Sequence, residues 1–252
     1  MGSGEHITWG ARTLSGVDRF GRWLVTDGLE NWWGSPDTRG ETEYFPDGDG
    51  ELDLPVYNQA RLLTLQGHLH SSGHDLLHEA GHFLTSSFFG RFKVQGHGPT
   101  LWADGKRNSG FIFNPVTDTF AQWQVRIKFN NPRKYGDTRT WTASVGSNAL
   151  NIFHRGNYNA TPRFVVTGAM PGGYRLTIKG VVFTVTQPLV SGQPHSIDFG
   201  TGRLRVNGNI VAGGLGWGFK PLVTPGVPTA LAIEPITTGT GSVTLTLTDT
   251  YI

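Results

Sequence analysis

The chain has no cysteine, and this removes several classes of protein at once. Without thiols, neither disulfide bridges nor thiolate metal sites can form, so the 252-residue chain is not a small scaffold held together by bridges. Long apolar runs are lacking too, since no stretch approaches the roughly 18 consecutive apolar residues of a membrane-spanning helix. Residues 1–6 have neither a basic nor an apolar segment, so we expect no signal peptide and no membrane association.

Charge is also scarce. Charged residues make up 16% of the chain, and the formal net charge is +2. Basic and acidic residues number 13 and 15 through residue 136, and 8 and 4 from residue 137 onward. Neither part has the dense basic stripe that marks nucleic-acid-binding proteins, so we expect no specific binding of DNA or RNA.

What the chain has in quantity is glycine, proline and aromatic residues. There are 36 glycines and 14 prolines, and aromatic residues make up 12%. A turn-rich, charge-poor and aromatic-rich composition indicates short strands joined by turns. The length is enough for two domains of ordinary size. We therefore predict a mainly β protein with two β domains.

The clearest predicted strand covers residues 122–129. Apolar residues with large side chains alternate there with Gln122, Gln124, Arg126 and Lys128. A period of two places one set in a core and the other on the opposite face of a sheet. This polar face is a candidate subunit interface or lumen surface.

Turn-forming residues divide the chain after this strand. Two asparagines, a proline and a glycine fall within residues 130–136, which is typical of a turn or linker. We predict an N-terminal domain over 1–130 with one helix at about 73–88, a linker over 131–141, and a C-terminal domain over 142–252. The second domain has short apolar runs and an Asn207-Gly208 hairpin signal, which indicate a β-sandwich or jelly roll.

One motif has the form of a catalytic site. His78-Glu79-Ala80-Gly81-His82 matches H-E-x-x-H, which on a helix places two imidazoles one turn apart to hold zinc, with the glutamate as general base. On a helical wheel, however, the histidines lie opposite the apolar stripe. A third ligand is lacking, since the next glutamate is Glu234. We therefore predict solvent-facing or interface histidines without a metal site, cofactor or catalysis, and keep incidental metal binding and a zinc peptidase as alternative hypotheses.

Three tryptophans are further candidates. Trp32-Trp33 could contribute to a subunit interface, and Trp217 could stack on a sugar ring, although large aromatic side chains more often pack in cores or interfaces. Trp217 motivates a second alternative hypothesis, a carbohydrate-binding β-sandwich protein.

The order of several short motifs resembles the siphophage distal tail protein family. The matching segments, in chain order, are Leu29-Glu30-Asn31-Trp32-Trp33-Gly34, Arg61-Leu62-Leu63-Thr64-Leu65-Gln66-Gly67-His68, Asn131-Pro132-Arg133-Lys134-Tyr135-Gly136, Ile197-Asp198-Phe199-Gly200-Thr201-Gly202-Arg203 with Asn207-Gly208, and Asp249-Thr250-Tyr251-Ile252. Together they span nearly the whole chain.

The resemblance implies a fold and a role. It implies an N-terminal β-barrel or sandwich-like domain with a short helix, followed by a galectin-like β-sandwich. It also implies a structural virion protein that forms a homohexameric ring at the tip of a long non-contractile tail. Such a ring would join the tail tube protein to the tail hub or tail-associated protein, with DNA passing through its lumen without specific binding.

Overall fold

The computed structural model describes residues 4–41, 43–45, 47, 49–50, 52–86, 89–215 and 220–252. The chain divides into two compact units. Unit 1 comprises Met1–Lys134 together with Ile252, and unit 2 comprises Tyr135–Tyr251.

Unit 1 is built mainly from antiparallel strands. They are β1 (His6–Trp9), β2 (Arg12–Asp18), β3 (Gly21–Asp27), β4 (Thr38–Arg39), β5 (Tyr57–Asn58), β6 (Arg61–Ser71), β7 (Phe89–Gln95), β8 (Leu101–Arg107), β9 (Ile112–Thr117) and β10 (Phe120–Phe129). Two helices interrupt them, α1 (Glu30–Trp33) and α2 (His74–Thr85). Strands β4 and β5 pair only with each other among the described strands.

Seven of these strands close into a barrel. Their order is β8-β7-β1-β2-β3-β6-β10, and the end of β10 pairs back onto β8 through Ile127 with Arg107 and Lys128 with Lys106. The start of β10 instead pairs with β9, which extends the sheet. Closure removes the edges of the strands involved, and their inward side chains fill a core that includes Trp9, Trp23 and Trp123.

Helix α2 is held on unit 1 by its apolar side. Leu77, Ala80, Gly81 and Leu84 are its buried residues. A Cβ on Gly81 would lie 2.9 Å from the ring of Phe113, so glycine allows close packing of α2 on β9. The opposite side of the helix faces solvent.

Unit 2 is a sandwich of two antiparallel sheets. Its strands are β11 (Lys134–Ser144), β12 (Leu150–Ile152), β13 (Arg163–Ala169), β14 (Tyr174–Ile178), β15 (Val181–Val185), β16 (His195–Asp198), β17 (Arg203–Val206), β18 (Asn209–Val211), β19 (Thr229–Pro235) and β20 (Thr240–Tyr251). The first sheet has the order β18-β17-β16-β13-β20-β11, and the second has the order β12-β19-β14-β15. Both sheets contribute to one hydrophobic core, with Phe164, Leu176 and Leu245 among its members.

The predicted hairpin at Asn207-Gly208 is present between β17 and β18. Asn207 has φ 45° and Gly208 has φ 85°, the positive values that a tight two-residue hairpin turn requires. These values explain why asparagine and glycine occupy the two positions.

The mainly β fold predicted from the sequence is confirmed, and one boundary differs. Strand β11 starts at Lys134, so most of the predicted linker 131–141 belongs to this strand, and only residues 130–133 connect it to β10. The turn is confined to the asparagines and Pro132, whereas Gly136, the fourth turn-forming residue, lies within β11. The predicted helix is observed over His74–Thr85, and residues 87–88 lie outside the described part. No helix in the described part is long and apolar enough to cross a bilayer.

Candidate functional surfaces

The H-E-x-x-H motif lies on the exposed side of α2. His74, His78 and His82 are exposed, as the helical wheel predicts. Glu79 accepts a hydrogen bond from Arg19 Nη2 at 2.7 Å, and both side chains are more than half exposed. Within the described residues no three side chains of metal-binding type converge. The motif therefore does not build the pocket that a zinc peptidase needs.

The polar side of β10 forms a broad surface with its neighbours. Gln122 and Arg126 are exposed, and Gln124 and Lys128 are half-buried. Facing them across β6 are His68, Gln66, Thr64 and Leu62, in that register. On the other side, Asn114 and Ile112 of β9 lie opposite Gln122 and Gln124. We call this surface, without Ile112, the amide face, after its four amide side chains, which are Gln66, Asn114, Gln122 and Gln124.

Strand β9 is the edge of this sheet. Among the described strands it pairs only with β10. Two of its apolar side chains are largely exposed, Ile112 at 56% and Val116 at 54%. Pro115 has no N–H to offer, as is common on edge strands. An exposed apolar edge of this kind is a surface on which another chain can pair.

The two adjacent tryptophans have different environments. Trp32 is fully buried, with its ring 4.9 Å from Phe92 and 5.7 Å from Phe129 between centroids. This corrects the expectation that it contributes an interface, because its side chain fills the core of unit 1. Trp33 is 41% exposed and remains an interface candidate.

Two buried cations surround the backbone of Trp32. Arg61 donates through Nη1 to the carbonyl oxygens of Asn31 and, at 2.7 Å, of Gly34. Lys134 donates through Nζ to the carbonyl oxygen of Trp32 at 2.8 Å. Both cations are 3% exposed. These carbonyls lie at the C-terminal end of α1, where the helix dipole favours positive charge.

Burial changes the proton affinity of these cations. Desolvation lowers the pKa of Lys134 to about 8, and the nearby charge of Arg61 lowers it further in the same direction. Burial also lowers the pKa of Arg61. The sequence reasoning missed this cluster, although a lysine that opens a strand beside a turn in a charge-poor chain is a weak sign of it.

In unit 2, an ion cluster joins three segments of the chain. Asp249 Oδ1 accepts from His154 Nδ1 at 2.9 Å and from the Arg155 N–H at 3.0 Å, and Asp249 Oδ2 accepts from Arg139. His154 Nε2 lies 2.7 Å from the carbonyl oxygen of Tyr158. Because both ring nitrogens are engaged and the side chain of His154 is fully buried, this pair cannot act as a base on an external substrate.

Two opposing effects set the pKa of Asp249. Burial alone raises its pKa. The hydrogen bonds from Arg155, His154 and Arg139, with the charge of Arg139, outweigh this effect and hold the pKa below its ordinary value.

Trp217 lies outside the described residues. The carbohydrate-binding hypothesis therefore gains no geometric support from it.

The two-unit arrangement can be compared with known proteins. No family model and no curated protein matches the chain. A crystal structure of the Dit protein of phage SPP1 matches with a TM-score of 0.74 over 98% of this chain and 99% of the other. The chain has the SPP1 Dit fold. Sequence identity is only 15%, so the likeness establishes the fold and nothing finer.

The SPP1 Dit structure is described as a paradigm of the hub adsorption apparatus in phages that infect Gram-positive bacteria. Chains of the phage P2 baseplate in its activated conformation, with Ca and with Sr, also match. Their TM-scores are 0.46 at 5% identity, covering 87% and 95% of this chain and 89% and 97% of theirs. That level of similarity is too low to support an argument about this protein.

The two tryptophans should differ sharply in their effect on folding. Trp32→Ala leaves a cavity in the core, and we expect it to lower the free energy of unfolding by about 3–5 kcal/mol. Trp33→Ala is the matched control and should cost about 1 kcal/mol or less. Urea unfolding followed by far-ultraviolet circular dichroism measures both. Equal losses in the two variants would contradict the assignment of Trp32 to the core.

The depressed pKa of Lys134 predicts an alkaline gain in stability. A lysine with a folded pKa of about 8 and an ordinary value of 10.5 binds more protons in the unfolded state between these values. The free energy of unfolding should therefore rise with pH, by about 2 kcal/mol from pH 7.5 to pH 9.5. Lys134→Met should abolish this gain, and Lys128→Met, on the half-buried outer side of β10, should keep it. A wild-type protein with no gain over this range would refute the prediction.

The ion cluster of unit 2 predicts an acid-sensitive contribution to stability. Asp249→Asn leaves Arg139 without its charge partner, and we expect the free energy of unfolding to fall by about 3 kcal/mol at neutral pH. In the wild type the contribution of Asp249 is complete above its ordinary pKa of 3.8 and is lost as pH falls through the lower folded value. Asp137→Asn, at an exposed position of β11, should change stability by less than about 0.5 kcal/mol. Urea unfolding at pH 7 and at pH 3 compares the three proteins, and equal values for both variants would contradict the role of Asp249.

Proposed function

We propose that this chain is a structural subunit of the tail tip of a long non-contractile phage tail. In this role it acts in the virion without catalysis or a cofactor. The observation that carries the proposal is the likeness to SPP1 Dit over nearly the full length of both chains. A shared barrel alone would be weaker support, because simple β architectures host many functions.

The proposal extends to assembly. We propose that the chain forms a homohexameric ring that joins the tail tube protein on one side to the tail hub or tail-associated protein on the other. A closed ring needs two different surfaces on each subunit that fit one another. The edge of β9, with Ile112 and Val116 exposed, supplies one surface on which a neighbouring subunit can pack. The exposed side chain of Trp33 is a further candidate.

The amide face fits a lumen through which DNA passes. Neutral side chains outnumber the two cations of β10, Arg126 and Lys128. Each phosphate contact by a cation releases counterions and strengthens binding, so a dense basic lining would hold the DNA. An amide-rich lining avoids strong contacts with the DNA backbone. No specific DNA binding and no membrane association are part of the proposed role.

The oligomeric state tests the ring. Native mass spectrometry and negative-stain imaging of the full chain should show six subunits in a ring. A cation at the edge of β9 should break it, so Ile112→Lys should shift the protein to monomers. Val182→Lys is the matched control, because Val182 is equally exposed, at 54%, on a strand of unit 2.

Two outcomes contradict this proposal in different ways. A wild-type protein that stays monomeric at high concentration and in the presence of its tube protein would rule out the ring. A ring that survives Ile112→Lys would rule out the edge of β9 as its interface.

A further inference from the structure

The histidine-rich segment contributes His68 to the amide face, but its histidines on α2 have no part in the proposed role. His68 and His70 lie on β6, and His74 and His78 lie on α2, which follows directly. The β9–β10 turn brings Asp118 to the same corner of unit 1. Several imidazoles therefore lie close together on an exposed corner, where they are available as metal ligands.

The rings of His74 and His78 are side by side on α2. Their centroids lie 4.7 Å apart with an interplanar angle of 69°. The spacing of four residues puts both side chains on one side of the helix, and both are exposed. Two imidazoles that bind one ion at metal–nitrogen distances of about 2.0–2.1 Å have ring centres separated by roughly 5 Å. The observed separation is therefore close to that of a chelating pair.

Asp118 lies beside the ring of His74. Its Oδ1 lies 3.6 Å from His74 Nδ1, and the carboxylate is 91% exposed. Histidines that bind metals generally offer their second ring nitrogen to a carboxylate or a carbonyl, which orients the ring and raises its basicity. At 3.6 Å the carboxylate lies just beyond hydrogen-bond distance of Nδ1, so a small rotation of the ring would join the two and leave Nε2 of His74 for an ion.

We propose that His74 and His78 form a two-histidine chelate for divalent transition metals of the zinc, nickel and copper class, with Asp118 as the orienting carboxylate. Imidazole nitrogens favour these ions over magnesium and calcium, which take oxygen ligands. No third protein ligand converges among the described residues. Water completes the coordination, and the site is open to solvent.

Charges near the two histidines have opposite effects on the binding of a cation. The positive end of the α2 dipole, at His74, disfavours a cation. The carboxylates of Asp75, in the first turn of the helix, and of Asp118 offset that effect. Glu79 is already paired with Arg19.

The proposed pair differs from the pair that the H-E-x-x-H motif names. The motif uses His78 and His82 with Glu79, whereas the geometry assigns His74 and His78 with Asp118. His78 is common to both, so His74 and His82 distinguish the two sites. A metal bound at His74 and His78 also stabilises the folded state, because it binds that state in preference to the unfolded chain.

Zinc titration of the full chain, purified without an affinity tag, tests the proposal. Isothermal titration calorimetry should show one zinc ion per chain. His74→Ala and His78→Ala should each weaken binding by at least about tenfold, and Asp118→Asn by about tenfold, the effect expected on loss of an orienting carboxylate. His82→Ala and His97→Ala, both at exposed positions, should bind zinc as the wild type does. Thermal unfolding should show that zinc raises the midpoint of the wild type and leaves that of His74→Ala unchanged.

Several outcomes would overturn the assignment. Loss of binding in His82→Ala with binding retained in His74→Ala would restore the pair named by the motif. Undiminished binding in the His74→Ala, His78→Ala double variant would place the ion elsewhere, with His68 and His70 as the next pair to vary. No effect of Asp118→Asn would remove the orienting carboxylate. Thermal unfolding of each variant without metal confirms that these surface changes leave the fold intact.

Discussion

Unit 1 depends on the pairing of β10 with three partners. Its whole length pairs with β6, its first half with β9, and its last residues with β8. Side chains alternate strictly between the two faces of a strand. When the barrel closes at β8, the large apolar side chains of β10 therefore lie in the core. Gln122, Gln124, Arg126 and Lys128 must then face outward. The core and the amide face are therefore two consequences of one register, and a slip by one residue would exchange them.

The sequence predicted the parts of this arrangement that are long and regular. The alternation over 122–129 gave both the strand and its polar face, and the helical wheel gave the exposed histidines of α2. Strand β2 escaped prediction, because Gly16 and the buried Arg12 interrupt its apolar alternation. Arg12 is buried since its Nε donates at 2.9 Å to the carbonyl oxygen of Phe83, 71 residues away. Partners at that separation are set by the tertiary fold.

The candidate sites also depend on partners that are distant in sequence and that only the tertiary fold brings together. The sequence shows that His74 and His78 share a side of a helix, but Asp118 comes to His74 only through the pairing of β9 with β10. Trp32 and Trp33 are adjacent in sequence and differ in environment, because α1 turns one ring toward Phe92 and Phe129. Neighbouring identical residues carry no signal that tells the buried ring from the exposed one.

The scarcity of charge bears on the proposed ring through desolvation. Burying an ion at a subunit interface costs more than burying an amide that finds a hydrogen-bond partner. Unit 1 holds the buried cations Arg61 and Lys134 against backbone carbonyls at the end of α1, where the helix terminus offsets that cost. Its amide face presents mostly neutral groups, which can bond to a neighbouring subunit or to water with little difference in free energy. A surface of this kind suits either the contact between subunits or a lumen that DNA crosses without being held.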